Sequence, residues 1–361
     1  MPRPRFPAAF SYLLPQFIRS RISPFRSGYS LDLPNGQISG GNNRGQNAVD
    51  LQTQRTTASS RVASGTNSFL AGINNTASST NIAVMGFNNG GTGNFSFRAG
   101  VSNTTGSGVS AFTSGNANTT TASIGFAAGR SNTRSGTASF VIGNLCSVSQ
   151  NSLSIGLSTS VSGASSVGLG RSPNVSASNS IAMGYVHSTG SGAYLTILGA
   201  HRGVGLGIQG ITVFPASVET FGTSSGKNQN YKLVLGRTTT NATTAVLTSN
   251  STTTAATSNS LTLANNSAVF FCGEIIANVT GGGDAKQWII EGAIKRGSNA
   301  ASTALVGTPT ITSNYADAGA SAWTVAISEN TTLGCLTINV TGQASTTIRW
   351  VCSLDVTQVA F

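Results

Sequence analysis

Charge is scarce in this 361-residue chain: 8% of its residues are Asp, Glu, Lys or Arg, against about 25% in ordinary globular domains. Acid is scarcer than base, nine residues against 20, and residues 62–218 contain no Asp or Glu at all. That excludes a pair of catalytic carboxylates flanking a sugar cleft within this stretch. The two histidines, His187 and His201, stand fourteen apart with no carboxylate between Asp50 and Glu219. They lack the further ligands of a metal site and are expected to stack on adjacent turns of a repeat. The four cysteines show neither CxxC spacing nor a histidine cluster, so no disulfide framework or zinc site is expected. Cys335 and Cys352 sit inside apolar strand patterns and read as small buried thiols. No run approaches the roughly eighteen apolar residues that span a bilayer. The stretch from Tyr12 to Ile18 is too short, is broken by Pro15, and lacks the pattern of a secretory signal. Gly203-Val204-Gly205-Leu206-Gly207 has no strand–helix context and is not a nucleotide loop.

What the chain has instead is glycine, 44 residues, with Ser, Thr and Asn at most polar positions and a hydrophobic share of 39%. Those residues are weak helix formers and suit many short strands joined by tight turns. The net charge of +11 is concentrated at the start: residues 1–61 hold eight Arg and two Asp. There is no dense basic stripe with aromatic platforms, so no nucleic-acid partner is expected. Residues 1–30 combine Arg3, Arg5, Arg19, Arg21 and Arg26 with Phe6, Phe10, Phe17 and Phe25, punctuated by proline. Such a peptide cannot make its own core and orders only against a partner. Its phenylalanines would fill pockets and its arginines would meet acidic or backbone acceptors.

An internal repeat decides the fold. Boxes ending in glycine occur at Gly72 (FLAG), Gly86 (AVMG), Gly100 (FRAG), Gly115 (FTSG), Gly129 (FAAG), Gly143 (FVIG), Gly156 (LSIG), Gly170 (VGLG), Gly184 (IAMG) and Gly199 (TILG). Successive spacings are 14, 14, 15, 14, 14, 13, 14, 14 and 15. Fourteen residues suit one coil of a parallel β-solenoid, and the apolar residues three and one before each glycine share a face of the strand. The glycine supplies positive φ or close backbone approach at a corner. Small residues in the second half of each repeat suit a narrow interior. One coil offers few large apolar side chains, so stacking in one dimension leaves a thin core. Rolls are therefore expected to pack side by side as a homotrimer.

The expected architecture is all-β. Residues 1–30 form an extended anchoring segment, 31–66 a lead-in or cap, and 67–201 the roll. Residues 202–240 read as a neck. From 241 to 361 longer alternating strands, such as Trp323-Thr324-Val325-Ala326-Ile327 and Ile348-Arg349-Trp350-Val351-Cys352, read as an antiparallel sandwich or jelly roll.

The unit Asn179-Ser180-Ile181-Ala182-Met183-Gly184 resembles the head repeat of trimeric autotransporter adhesins, a left-handed parallel β-roll that assembles as a homotrimer. Arg44-Gly45-Gln46-Asn47-Ala48-Val49-Asp50-Leu51-Gln52-Thr53 looks like the lead-in of roll-bearing fibre proteins of tailed bacteriophages. The run from Trp288 to Arg296, with Ala318-Gly319-Ala320-Ser321-Ala322-Trp323 and Thr346-Thr347-Ile348-Arg349-Trp350, is similar to a domain ending many phage structural proteins. The chain shows no signal peptide and no heptad stalk followed by a membrane barrel, which favours the phage resemblance. That resemblance implies a non-enzymatic, cofactor-free virion fibre made in the bacterial host cytoplasm, on a tail in preference to a capsid. Its N-terminus would meet other virion structural proteins, and its C-terminal domain a host-surface receptor of glycan type. The roll arginines Arg98, Arg130, Arg134 and Arg171 are expected on its surface, keeping it soluble or attracting anionic polymers. A bacterial adhesin head fragment and a depolymerising tailspike are the alternatives. The six carboxylates after residue 241, Glu274 to Asp355, carry no motif for the latter.

Overall fold

The computed structural model describes residues 31–32 (backbone only), 44–57, 60–106, 110–215, 225–252 and 254–361. About ten coils of about fourteen residues make a parallel β-solenoid, followed by antiparallel sheets. The residues fall into two compact units, one ending at Asn144 and the other beginning at Leu145.

In the first unit the strands Phe69–Ile73, Ala83–Phe87, Phe97–Val101, Ala111–Asn116, Gly125–Arg130 and Ser139–Asn144 pair in parallel, each box residue against its equivalent. A narrower sheet of Gly90–Gly91, Thr104–Thr105, Thr119–Thr120 and Thr133–Arg134 closes the opposite side of each coil. The second unit repeats this with Leu153–Leu157, Val167–Arg171 and Ile181–Tyr185 against Ser147–Val148, Ser160–Val161 and Asn174–Val175.

Two corners per coil turn the chain, and both use the left-handed region. They fall at Asn67, Asn74, Asn81, Asn88, Phe95, Ser102, Ser110, Ala117, Ile124, Ser131 and Ala138 in the first unit, with φ from 48° to 62°. Asparagine tolerates this conformation, whereas Phe95 and the β-branched Ile124 hold it at a cost of about 1–2 kcal/mol each. The box glycines are a second device. In nine of the ten boxes the glycine has φ between 108° and 140°; Gly199 does not. A Cβ on Gly86 would stand 2.0 Å from the carbonyl oxygen of Gly100, a collision with backbone. Neighbouring coils approach each other there too closely for any side chain.

The interior is lined from two positions. Two before each box glycine stand Leu70, Val84, Arg98, Thr113, Ala127 and Val141, all 0% exposed. Five after it stand Ala77, Thr105, Thr120 and Arg134, and in the second unit Val148, Val161 and Val175, all buried. Strand alternation then sends the large apolar residues of the box outward.

Residues 202–240, expected as a neck, hold structure of both kinds. Thr212–Phe214 pairs in parallel with Thr196–His201 and antiparallel with Asn228–Thr239. Asn228–Thr239 then runs twelve residues against Ile348–Ala360, which pairs in turn with Ser267–Val279. Ala285–Arg296 and Ala304–Thr312 extend this sheet. A smaller sheet centres on Cys335–Thr341, flanked by Ala245–Val246, Leu261–Thr262 and Thr324–Asn330. The core of this region holds three buried tryptophans. Trp350 stacks on Trp288 with ring centroids 5.5 Å apart and meets Trp323 at 5.9 Å. Trp350 Nε1 donates to Thr239 Oγ1 at 2.9 Å, so its polar edge is satisfied. Cys335 and Cys352 are buried free thiols, pushed up to about 11 and about 12 by desolvation.

Candidate functional site

The outer face of the box strands is the first candidate. Phe97, Phe112, Phe126 and Phe140 stack in a row, with successive centroids 5.0, 4.8 and 4.6 Å apart and rings within 17° of parallel. The register of the coils dictates this, because equivalent residues sit one strand spacing apart. Met85, Phe87, Val101 and Phe112 are between 37% and 46% exposed in the same unit. In the second unit Leu157, Ile181 and Met183 continue the pattern, each above 37% exposed. The apolar residues two apart do share a face, and it is the outer one. Exposed apolar rows of this kind are characteristic of interaction surfaces.

The outer face of the C-terminal sheet carries exposed apolar residues among charged and polar ones such as Glu274, Arg349 and Ser353. Val234, Phe270, Ile276, Ile289 and Val351 are each at least 44% exposed, and Ile276 pairs directly with Val351 across the strands.

Inside each coil, three residues after the box glycine, runs a hydrogen-bonded ladder. Asn75, Asn89, Asn103, Asn118 and Asn132 are buried. Asn103 Nδ2 donates to Ala99 O in its own coil and to Gly115 O in the next, both at 2.8 Å. Its Oδ1 accepts from the backbone N–H of Asn118 at 3.0 Å. Asn89 and Asn118 repeat the same contacts. One side chain thus satisfies backbone groups that the corner leaves without a strand partner. The second unit fills the position with substitutes. Cys146 Sγ donates to Gly156 O at 3.1 Å, and Thr159 Oγ1 to Gly170 O at 3.1 Å. His187 Nε2 meets Met183 O and Gly199 O, both at 3.1 Å, while its Nδ1 accepts from Gly203 N at 2.9 Å. These partners fix the neutral Nε2–H tautomer, and burial holds His187 below the usual histidine range. The signal for the ladder was present as Gly-x-x-Asn in five successive boxes.

The two histidines do not stack on each other. Fifteen residues separate Gly184 from Gly199, and the pairing shifts between Met183 and Tyr185. His201 consequently stacks on Tyr185, at 4.7 Å, outside the ladder. Among the described residues no group of three or more His, Cys, Asp or Glu side chains gathers as for a metal ion. Nor is any helix among them long and apolar enough to cross a membrane.

The roll arginines divide. Arg130 and Arg171 are exposed, but Arg98 and Arg134 are 0% exposed and occupy interior positions. The expectation of four surface cations fails for these two because their strand parity points them inward. Arg134 donates to the carbonyls of Ala122 (2.5 Å), Gly136 (3.1 Å), Ile124 (3.2 Å) and Ser123 (3.4 Å).

The lead-in forms strand Val49–Gln54, parallel to Phe69–Ile73. Asp50, 0% exposed, is held by Arg44 Nε at 3.1 Å and Arg55 Nη2 at 3.2 Å. Gln52 accepts from the backbone N–H of Asn75 at 2.5 Å and so starts the ladder. In the C-terminal region Asp355 accepts from Asn230 at 2.7 Å and pairs with Lys232 at 3.1 Å, contacts that hold its carboxyl below the usual range. The anchor residues expected at Arg3, Arg5, Phe6, Phe10, Phe17, Arg19, Arg21, Phe25 and Arg26 lie outside the described residues.

No protein-family model matches the sequence, and a search of curated proteins finds no similar chain.

Proposed function

We propose that this chain is a structural fibre protein of a tailed phage, homotrimeric and non-catalytic, in which the roll is a spacer. The supporting observation is the outward apolar row from Phe97 to Phe140, which a single chain leaves partly exposed. A second copy covering that row would remove its apolar surface from water, at about 25 cal/mol per Å². Three copies close such a contact around one axis without leaving a free face. The exposed apolar residues on the outer face of the C-terminal sheet, Phe270, Ile276 and Val351 among them, support the same reading. In this assembly the N-terminal segment docks on the tail, in preference to the capsid. The C-terminal domain meets a host-surface glycan through polar groups and aromatics at the far end. The virion surface is its location.

Multi-angle light scattering of the purified chain tests the assembly. A mass of three chains is expected, and a monomer at micromolar concentration refutes it. Electron microscopy of particles labelled against the C-terminal domain tests the placement. Label on the capsid or absent from virions overturns the tail assignment. Release of reducing sugar from host polysaccharide would instead establish the depolymerising alternative.

A further inference from the structure

One coil of the narrow sheet lacks an outward side chain that its neighbours carry. Thr104, Thr119 and Thr133 stand in register, and the residue paired with Thr104 in the preceding coil is Gly90. The backbone does not require glycine at this position. Gly90 lies outside the left-handed region, and a Cβ on it would meet only Thr76 Cβ, at 3.9 Å. Gly91 beside it is a different case, with φ 142° and a Cβ that would strike Thr105 O at 1.9 Å. The fold demands the second glycine and not the first.

Gly90 lines an open groove of about 430 Å³ on the outer side of the roll, with Thr76, Ser78, Thr92, Thr104 and Arg61 among its other lining residues. A threonine at 90 would fill part of it. None of the four hydroxyls makes a hydrogen bond to another described residue. In the second unit equivalent hydroxyls are committed to the adjacent coil: Ser149 Oγ donates to Ser162 O and Ser176 Oγ to Gly190 O, both at 2.7 Å. Arg61 is held in place through Nη1, which donates to Asn74 O and, at 2.7 Å, to Asn88 Oδ1. Its Nε and Nη2 have no partner among the described residues. No carboxylate occurs between Asp50 and Glu219, and Asp50 is buried against Arg44 and Arg55. The coils around the groove therefore supply no counter-ion for Arg61.

These features select a ligand class. The two unused guanidinium nitrogens match the two oxygens of a carboxylate. Four hydroxyls, each able to donate and accept, match a polyhydroxylated body. No aromatic or large apolar side chain lines the groove, which excludes an apolar ligand. Its volume falls in the range of small-ligand sites, about 300–1,000 Å³. We propose that the groove binds a carboxylated sugar, with the carboxylate on Arg61 and the sugar hydroxyls on Thr76, Ser78, Thr92 and Thr104. The narrow sheet lies on the side of the coil away from the apolar row, so the site is independent of the oligomeric state, and it does not involve the C-terminal domain.

Saturation-transfer NMR on the full chain, titrated in turn with glucuronate, glucose, acetate and inorganic phosphate, tests this. A sugar acid of about a dozen heavy atoms should bind with a Kd of about 1 mM. The other three probes, each carrying only part of the recognised chemistry, should bind at least about tenfold more weakly. Gly90→Thr restores the side chain of the following coils and should weaken glucuronate at least about tenfold with an unchanged thermal midpoint. Arg61→Gln should weaken it by a similar factor, and Thr133→Ala, outside the groove, should leave it unchanged. Absence of saturable glucuronate binding overturns the proposal. Equal or tighter binding of glucose, acetate or phosphate does so too, as does glucuronate binding that survives in Gly90→Thr. That last result decides the matter even if the Arg61 variant fails to fold.

Discussion

Asn103→Ala removes one rung from the middle of the ladder and isolates what the rungs contribute. The wild-type side chain donates to Ala99 O and Gly115 O and accepts from the Asn118 backbone N–H. Alanine can do none of this, and its position is 0% exposed. Each orphaned group costs about 1–3 kcal/mol, with the low end apt for carbonyls at a partly buried corner. Because the rungs bond to one another, the contributions couple and do not simply add. We expect a loss of about 3 kcal/mol. The chain supplies its own comparison, since Thr159 occupies the equivalent position and reaches Gly170 O at 3.1 Å and Ile155 O at 3.4 Å. Asn103→Thr should therefore cost about 1–2 kcal/mol, less than alanine although threonine is the weaker match in shape. The assay is urea denaturation of the full chain, with amide hydrogen exchange at Asn118 as the local readout. The reasoning is refuted if Asn103→Ala costs no more than Thr104→Ala on the neighbouring exposed position. It is refuted equally if threonine and alanine are indistinguishable.

Burial holds the folded-state pKa of His187 below the unfolded value of 6.5, and protonation would place a proton on Nδ1 facing the Gly203 N–H. Stability is then insensitive to this group above 6.5 and falls as pH drops below it, until the folded pKa is passed. His187→Asn, which restores the ladder residue, should remove that acid sensitivity in a series of thermal midpoints. Phe112→Asp places a charge in the outer aromatic row, where the side chain is 37% exposed. Lighter species in light scattering with an unchanged far-UV spectrum are expected, and an intact assembly would count against the interface. Gly86→Ala forces a Cβ to within 2.0 Å of Gly100 O at φ 112°, whereas Gly281→Ala at φ 94° meets nothing within 4 Å. The first should abolish or grossly destabilise folding, and the second should cost about 1 kcal/mol in the same melt. Cys335 and Cys352 should resist alkylation in the native state at pH 8, with the partly exposed Cys272 modified first by mass spectrometry.

The coil length, the glycine boxes and the all-β class were legible because equivalent residues must stack in register, which prints a fixed period on the sequence. Which face of each strand points into the coil was not. Phe97, Phe112 and Phe126 invite the assumption that large apolar residues point inward. A coil this narrow takes Leu70, Thr113 or Ala127 inside and sends the phenylalanines out. The same parity error put Arg98 and Arg134 on the surface. The asparagine ladder was visible as Gly-x-x-Asn but reads as ordinary turn composition until its carbonyl partners are known. The residues after 201 look irregular because Thr212–Phe214 is short and carries no glycine box. Its pairing on both sides is a long-range property that local pattern does not encode.

The capped lead-in bears on a hazard of every parallel stack. A row of strands ends in unpaired N–H and C=O groups that can template another copy. At the roll's start, strand Val49–Gln54 buries the charged pair of Asp50 and Arg55 beneath it, and Leu31–Asp32 covers its first two residues. At the other end Thr212–Phe214 hands the row over to the antiparallel strand Asn228–Thr239. The switch to an antiparallel neighbour interrupts the parallel row at this end, which works against lengthwise polymerisation through it.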